Sequence, residues 1–146
     1  MKTPSSQNQA LFLHVDCDNF WCYENEYGFR ASGNYDQIYE QALREFLLLA
    51  TKHNVLVTFF IVGSDLALPS CRQFCCAALK RGHANANHSF SHTTDFGKLN
   101  EDDLKDEVLQ AHKAIEEHLG ITPTGFRAPG FFLNKTLIEI LTEVGY

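Results

Sequence analysis

The sequence predicts an α/β fold in which parallel strands alternate with helices. Two apolar runs, residues 11–15 and 55–62, have the length and the residue types of buried strands. Residues 36–53, 69–81 and 100–119 repeat apolar side chains at helical spacing. Because strands that alternate with helices form parallel sheets through right-handed crossovers, we expect either a (β/α) barrel or an open sheet.

The composition limits the classes of protein to which the chain can belong. Its 146 residues are 45% hydrophobic, which suits a single domain with one core. The formal net charge of -6 disfavours a nucleic-acid partner, because a phosphate backbone attracts basic surfaces. The longest apolar run, residues 55–62, is far shorter than the roughly 20 residues of a membrane span.

The N-terminal segment is polar. Residues 1–9 contain one basic residue and are not followed by the apolar region of a secretory signal. We therefore expect a disordered segment over residues 1–10, one domain over residues 11–146 and a cytoplasmic location. The five cysteines lack the paired CxxC spacing of a structural zinc site, and we expect reduced thiols packed as small hydrophobic residues.

The first strand leads into a segment without periodicity. The strand over residues 11–15 ends in Asp16-Cys17-Asp18. Residues 20–35 are rich in Gly, Asn, Glu and aromatic residues and show no helical or strand period, which predicts a long loop. A helix follows over residues 36–53, where apolar side chains recur at helical spacing until Asn54 stops the pattern.

The rest of the chain continues the alternation. After the strand over residues 55–62, Pro69 opens a helix that Gly82 closes, because proline suits the first helical turn and glycine the C-terminal cap. Residues 84–87 form a short strand. Asn100 and Asn134 each cap a later helix, and residues 124–127 between those helices are predicted as a short extended segment.

Acidic and imidazole side chains follow two of the predicted strands. Asp16 and Asp18 are two residues apart, so a strand presents both carboxylates on one face. His88 and His92 are four apart, a spacing that places two imidazoles on one side of a helical turn. Because strand ends in α/β folds converge on one face, one carboxylate and both imidazoles form a plausible three-ligand metal site. Taken alone, each pair also fits a solvated surface.

Other residues near these pairs have weaker signals. Arg127 lies in an RxP turn that could aim its side chain at a carboxylate, although such turns are more often solvated loops. Aromatic residues that flank the predicted site could stack on sugar faces but fit core packing equally well, namely Trp21, Tyr23, Phe131 and Phe132. The candidates for substrate binding are Trp21, Pro129 and Phe131. The remaining five histidines are predicted to be structural or exposed, namely His14, His53, His83, His112 and His118.

Four stretches together resemble the polysaccharide deacetylase family, also known as the NodB-homology or carbohydrate esterase four group. HVDCDN is similar to a variant aspartate motif in which one residue separates two acids, and VTFFIVG is similar to the TFFxxG strand. GHANANHSFSH resembles the pattern GHxxxNHSxSH, and GFRAPGF resembles the FRxPxF element. The four stretches follow the family's order, at residues 14–19, 57–63, 82–92 and 125–131.

The resemblance implies a distorted (β/α) barrel and a hydrolytic site. By this resemblance Asp18, His88 and His92 hold a divalent metal, Asp16 is the general base and Arg127 orients Asp16. Two imidazoles and one carboxylate suit zinc, which we expect as the cofactor. The implied reaction removes an acyl group, such as acetyl, from an amide nitrogen of an N-acetylated sugar or polysaccharide, such as peptidoglycan or chitin-like oligomers. Ser89 and Ser91 are predicted to hydrogen-bond within the histidine turn rather than act as nucleophiles.

Two departures from the family pattern leave alternatives open. The split acid pair differs from the commonest TFDDG form and occurs in branches that act on cyclic amides, allantoin-like compounds or peptidoglycan. The family's later motifs, which supply an aspartate and a histidine as general acid, lie beyond Tyr146. We therefore expect a barrel that is incomplete at its C-terminus, with sheet edges that favour self-association. The alternatives are a hydrolase of small linear or cyclic amides, and a metal- or carbohydrate-binding remnant without turnover.

Overall fold

A computed structural model describes residues 11–28, 30 and 34–146, and it contains a three-stranded parallel sheet. The strands are β1 (Leu13–Cys17), β2 (Val57–Ile61) and β3 (Ala84–Asn87), with β2 in the centre. The predicted α/β fold is therefore confirmed, whereas closure of the sheet into a barrel stays a prediction. The predicted disordered segment, residues 1–10, lies outside the described residues.

The described part of the chain also contains five α-helices. Two of them begin where the sequence predicts, because the side chains of Asn100 and Asn134 accept hydrogen bonds from the backbone N–H groups of Asp103 and Leu137. A π-helical segment, Ile38–Leu43, runs directly into the second helix. The helices are α1 (Trp21–Tyr27), α2 (Arg44–Lys52), α3 (Pro69–Leu79), α4 (Glu101–Leu119) and α5 (Lys135–Val144).

Of two further local predictions, one is wrong and one is confirmed. The predicted loop over residues 20–35 contains α1, which ends at Gly28 in the left-handed conformation, with φ of 66°. A helix of seven residues makes only about two turns, too few for its periodicity to be recognised in sequence. The predicted short extended segment at residues 124–127 is confirmed, because Phe126 forms an isolated parallel bridge with Asn87 at the end of β3.

The core of the described residues consists of two clusters of buried side chains. One cluster packs α2 and α3 against β1 and β2, with Phe59 and Ile61 fully buried, and a second cluster packs α4 against α5. The five cysteines are free thiols and four of them are buried, as predicted. Among the described residues, no helix has both the length and the apolar character that a bilayer span requires.

We expect Phe59→Ala to destabilise the fold strongly. The Phe59 side chain is fully buried in β2 and its ring packs edge-on against Phe74, with ring centroids 5.0 Å apart. Removing a buried phenylalanine ring costs about 3–5 kcal/mol of unfolding free energy. Chemical denaturation measures this loss, with Leu49→Ala as the control, because Leu49 is 54% exposed and its truncation is expected to cost at most about 0.5 kcal/mol. Equal losses in both variants would contradict this assignment of the core.

Candidate metal centre

The C-terminal ends of β1 and β3 deliver four polar side chains to one cleft of about 350 Å³. Asp16 belongs to β1 and Asp18 follows its last residue, while Cys17 between them is buried in the core. His88 follows β3 directly. The sheet therefore brings together the residues that the sequence predicts for the site, since Asp16, Asp18, His88 and His92 all line this cleft.

Asp18, His88 and His92 could hold a metal ion, because one ligand atom from each lies within 4.8 Å of the others. The Oδ1 atom of Asp18 is 3.2 Å from Nε2 of His88 and 3.3 Å from Nε2 of His92. Both imidazoles are buried, with side-chain exposures of 3% and 7%. Two nitrogens and one carboxylate oxygen are the donor set of many catalytic zinc sites, in which water completes the coordination.

The tautomer of His88 indicates that this cluster is built for a cation. Nδ1 of His88 lies 2.6 Å from the backbone oxygen of Arg127. Because a carbonyl oxygen only accepts, Nδ1 carries the hydrogen and the Nε2 lone pair of the neutral ring points towards Oδ1 of Asp18. The buried Oδ1 atom accepts no well-aligned hydrogen bond from any described residue. Two electron pairs that face each other at this distance require a proton or a metal ion between them.

Electrostatic contacts shift the pKa values of Asp18 and His92. Burial opposes ionisation of Asp18, but His88, His92 and the Tyr23 hydroxyl outweigh it and hold the pKa of Asp18 well below its ordinary value. Burial also favours neutral His92, but the adjacent carboxylate of Asp18 outweighs it and raises the pKa of His92. Protons and a divalent cation therefore compete for the same ligand atoms.

The two histidines lie on a non-helical turn. The predicted helical placement of the HxxxH pair is wrong, because Ser89 and His92 have positive φ angles of 64° and 47°. Side-chain hydrogen bonds hold this conformation: the backbone N–H of Ser89 donates to Oδ1 of Asn87 at 2.8 Å, and that of His92 donates to Oγ of Ser89 at 3.2 Å. Ser89 thus hydrogen-bonds within the turn, as predicted.

Glu107 attaches the same turn to α4. Its carboxylate accepts hydrogen bonds from the backbone N–H groups of Phe90 and Ser91, at 3.0 and 2.9 Å. The hydroxyl of Ser91 donates to the other oxygen of Glu107 at 2.6 Å. Ser91 therefore bonds outside the turn, to a helix 16 residues further along the chain. The sequence carries no local signal of this contact.

The predicted pair of Asp16 and Arg127 forms at the rim of the cleft. A guanidinium N–H of Arg127 donates to Oδ1 of Asp16, and the other terminal nitrogen of Arg127 lies 2.7 Å from Nδ1 of His14. The guanidinium also stacks on the Phe60 ring, 4.2 Å from its centroid. These contacts fix Arg127 on three sides, so Asp16 has a rigid cationic neighbour. His14 was predicted to be structural or exposed, and the period of two that relates it to Asp16 is the signal that could have identified it.

The candidate substrate residues divide into two groups. Pro129 and Phe131 line the cleft, and Phe131 is 75% exposed. Trp21 instead donates its indole N–H to Oδ1 of Asp65 at 2.7 Å and lines a neighbouring cavity. The structure therefore does not place Trp21 in the cleft that contains the metal ligands. From the same helix α1, Tyr23 and Tyr27 line the cleft, and Tyr23 is one of the aromatic residues that the sequence predicts beside the site.

Comparison with known proteins identifies the family. The family model described as polysaccharide deacetylase matches residues 30–146. The chain is 30% identical over 95 residues to the peptidoglycan-N-acetylglucosamine deacetylase PgdA of Listeria monocytogenes, an alignment that covers 64% of this chain and 19% of PgdA.

Solved structures share the fold. A Mycobacterium smegmatis protein proposed to be a polysaccharide deacetylase superposes with a TM-score of 0.81 at 22% identity, covering 100% of this chain and 52% of that one. BA3943 of Bacillus anthracis, described as a pseudoenzyme of carbohydrate esterase family 4, superposes with a TM-score of 0.68 at 18% identity, covering 90% of this chain and 39% of that one.

The chain thus spans 19% of PgdA and about half of the Mycobacterium smegmatis chain. The family model nevertheless matches most of its length, including three of the four motifs and, with them, His88, His92 and Arg127. The chain belongs to the polysaccharide deacetylase family.

Proposed function

We propose that residues 11–146 form a deacetylase domain that hydrolyses the acetamide group of an N-acetylated sugar or polysaccharide with the help of a divalent metal. One observation carries the proposal: Asp18, His88 and His92 converge in the same cleft as the ion pair of Asp16 and Arg127. Hydrolysis of an unactivated amide needs a metal ion to activate water and a neighbouring group to accept its proton, and this cleft offers a metal-ligand cluster with a carboxylate beside it.

The proposed metal is zinc, held by Asp18, His88 and His92. The donor set fits, because both nitrogens and the carboxylate oxygen are buried and within reach of one ion. When bound, zinc lowers the pKa of a coordinated water towards about 7 and polarises a carbonyl oxygen. Cobalt, nickel and iron accept the same ligands, so the donor set alone selects a class of metal.

Asp16 is the proposed general base. Its Oδ2 atom lies 4.0 Å from Nε2 of His88, close to the ligand cluster, while Oδ1 is occupied by Arg127. One oxygen is thus anchored by a cation and the other is left to take a proton from an attacking water. The guanidinium holds the carboxylate in one orientation.

The proposed substrate is an N-acetylglucosamine polymer such as peptidoglycan, because the relative PgdA is named for that substrate. The exposed ring of Phe131 beside the cleft supplies a surface on which a sugar ring can stack, and Pro129 forms the adjacent wall. Phe131 has a φ angle of 55°, which is uncommon for a bulky residue and which directs this part of the chain into a tight turn after Gly130.

A second candidate is a metal- or carbohydrate-binding protein without turnover. The likeness to BA3943, a protein described as a pseudoenzyme, supports it, and a variant of BA3943 is described as having restored activity. The chain also spans only part of the relatives that it matches. Binding of metal and sugar without acetate release would favour this candidate.

Acetate release tests the proposed activity. The purified chain, loaded with one equivalent of Zn²⁺, is incubated with N-acetylglucosamine oligomers, and in parallel with allantoin as a small cyclic amide. Release of acetate from the oligomers alone supports the deacetylase, whereas ring opening of allantoin alone supports the small-amide hydrolase. Metal binding without either reaction identifies the non-catalytic alternative.

We expect metal affinity to fall as the pH decreases. His92 must lose its proton to bind a metal, and its pKa is raised by Asp18, so protonation begins at a higher pH than for an ordinary histidine. Asp18 stays ionised over the same range, because its pKa is lowered. Affinity should be constant above the pKa of His92 and fall about tenfold per pH unit below it. Competition with a chelator between about pH 5 and about pH 8 measures this, and an affinity that rises on acidification would contradict it.

A further inference from the structure

Tyr23 contacts the metal-ligand cluster from outside. Its hydroxyl donates a hydrogen bond to Oδ2 of Asp18, whereas Oδ1 is the oxygen beside His88 and His92. The two oxygens of Asp18 therefore have different partners: one belongs to the ligand cluster and the other to a phenol. This contact is the most direct that α1 makes with the cluster.

The position of Tyr23 is itself fixed by packing. Its ring meets the His92 ring edge-on, with centroids 6.1 Å apart. The helix α1 that carries it is anchored by the hydrogen bond from Trp21 to Asp65, and Asp65 accepts a second hydrogen bond, from the Tyr39 hydroxyl at 2.6 Å. Burial and the neighbouring Asp18 raise the pKa of Tyr23, so the phenol keeps its proton and acts only as a donor towards the carboxylate.

We propose that Tyr23 is a positioning residue that restricts Asp18 to metal coordination through one oxygen, Oδ1. This role rests on the proposed metal site. A carboxylate can bind a metal through one oxygen or through both, and the Tyr23 hydroxyl occupies Oδ2. Coordination through one oxygen leaves more positions free for water and substrate, which is the property that separates a catalytic from a structural site.

The variant Tyr23→Phe removes the hydroxyl and keeps the ring. Without the hydrogen bond, Oδ2 of Asp18 is free to approach the metal or to rotate away from it. Loss of an outer partner of this kind lowers metal affinity by about 10–100-fold. The matched control is Tyr27→Phe, because Tyr27 lies on the same helix, lines the same cleft and packs against the Tyr23 ring, with centroids 5.9 Å apart.

Titration with Co²⁺ tests this role without any substrate. Cobalt accepts the same ligands as zinc, and its visible absorption depends on the number and geometry of its ligands. We expect Tyr23→Phe to bind Co²⁺ at least about tenfold more weakly and with an altered visible spectrum, and Tyr27→Phe to match the parent chain in both respects. Thermal unfolding of the metal-free chains should be alike, because the packing of both rings is retained.

The outcomes separate this role from the metal site itself. If the parent chain binds Co²⁺ and Tyr23→Phe binds it with the same affinity and spectrum, the positioning role is wrong and the metal site stands. If both tyrosine variants lose affinity equally, the effect belongs to the aromatic wall and the role of the Tyr23 hydroxyl is also wrong. If the parent chain binds no Co²⁺, the metal site fails and the role of Tyr23 fails with it.

Discussion

Replacing His88 and His92 together by alanine is expected to abolish metal binding. The two imidazoles supply both nitrogen ligands of the cluster, and Asp18 alone offers a single carboxylate at the end of a strand. Loss of an outer hydrogen-bond partner weakens a metal site by about 10–100-fold, so loss of two direct ligands should weaken it by more than about 100-fold. Equilibrium dialysis against Zn²⁺ with elemental analysis of the retained metal measures the change.

The matched control removes two histidines that lie outside the cleft. His53 follows α2 and His118 lies in the last turn of α4, and neither lines the cleft that contains Asp18. His53→Ala, His118→Ala should therefore bind metal as the parent chain does. Retained metal in His88→Ala, His92→Ala, or equal losses in both double variants, would show that the metal binds elsewhere on the chain.

Asp16→Asn is expected to separate metal binding from turnover. The amide has the size of the carboxylate and can still accept a hydrogen bond from Arg127, but it cannot take a proton from water. Asp18, His88 and His92 are unchanged, so metal content should stay close to that of the parent chain. Removing a general base lowers turnover by about 10²–10⁴-fold. The turnover of the variant relative to the parent chain is measured as acetate release from N-acetylglucosamine oligomers at equal metal loading.

Asn85→Asp is the control, because it changes the charge by one unit away from the cleft. Asn85 lies in β3, and its side-chain N–H donates to the backbone oxygen of Cys75 on α3. This variant should be less stable than the parent chain, but the molecules that remain folded should hydrolyse the substrate at the parent rate. Full turnover by Asp16→Asn would exclude Asp16 as the base. Loss of metal from Asp16→Asn would instead assign Asp16 to the ligand set.

The central site could be predicted because its signals are local. Asp16 and Asp18 follow the two-residue period of β1, which buries Cys17 between them. The parallel register of β1, β2 and β3 then brings both aspartates to the edge where His88 leaves β3. The asparagine caps at Asn100 and Asn134 are local signals too, and they placed the starts of α4 and α5 correctly.

The contacts that surround the site could not be predicted, because they join distant elements. Glu107 reaches the histidine turn from α4, and Arg127 reaches His14 across 113 residues of sequence. The short helix α1 has no period that would show which of its aromatic side chains faces the cleft: the sequence predicts both Trp21 and Tyr23 beside the site, and of these two Tyr23 lines the cleft. The conformation of the His88–His92 turn depends in part on a tertiary hydrogen bond that the backbone N–H of Phe90 donates to Glu107, in addition to the local one that Ser89 donates to Asn87.

Elemental analysis of the purified parent chain tests the central claim most directly. Protein is isolated without added chelator, dialysed against metal-free buffer and measured for zinc, cobalt, nickel and iron per chain. The three converging ligands predict close to one equivalent of a divalent metal, which a strong chelator removes and which added Zn²⁺ restores. A parent chain that contains no metal and takes up none on addition of Zn²⁺ would contradict the site formed by Asp18, His88 and His92.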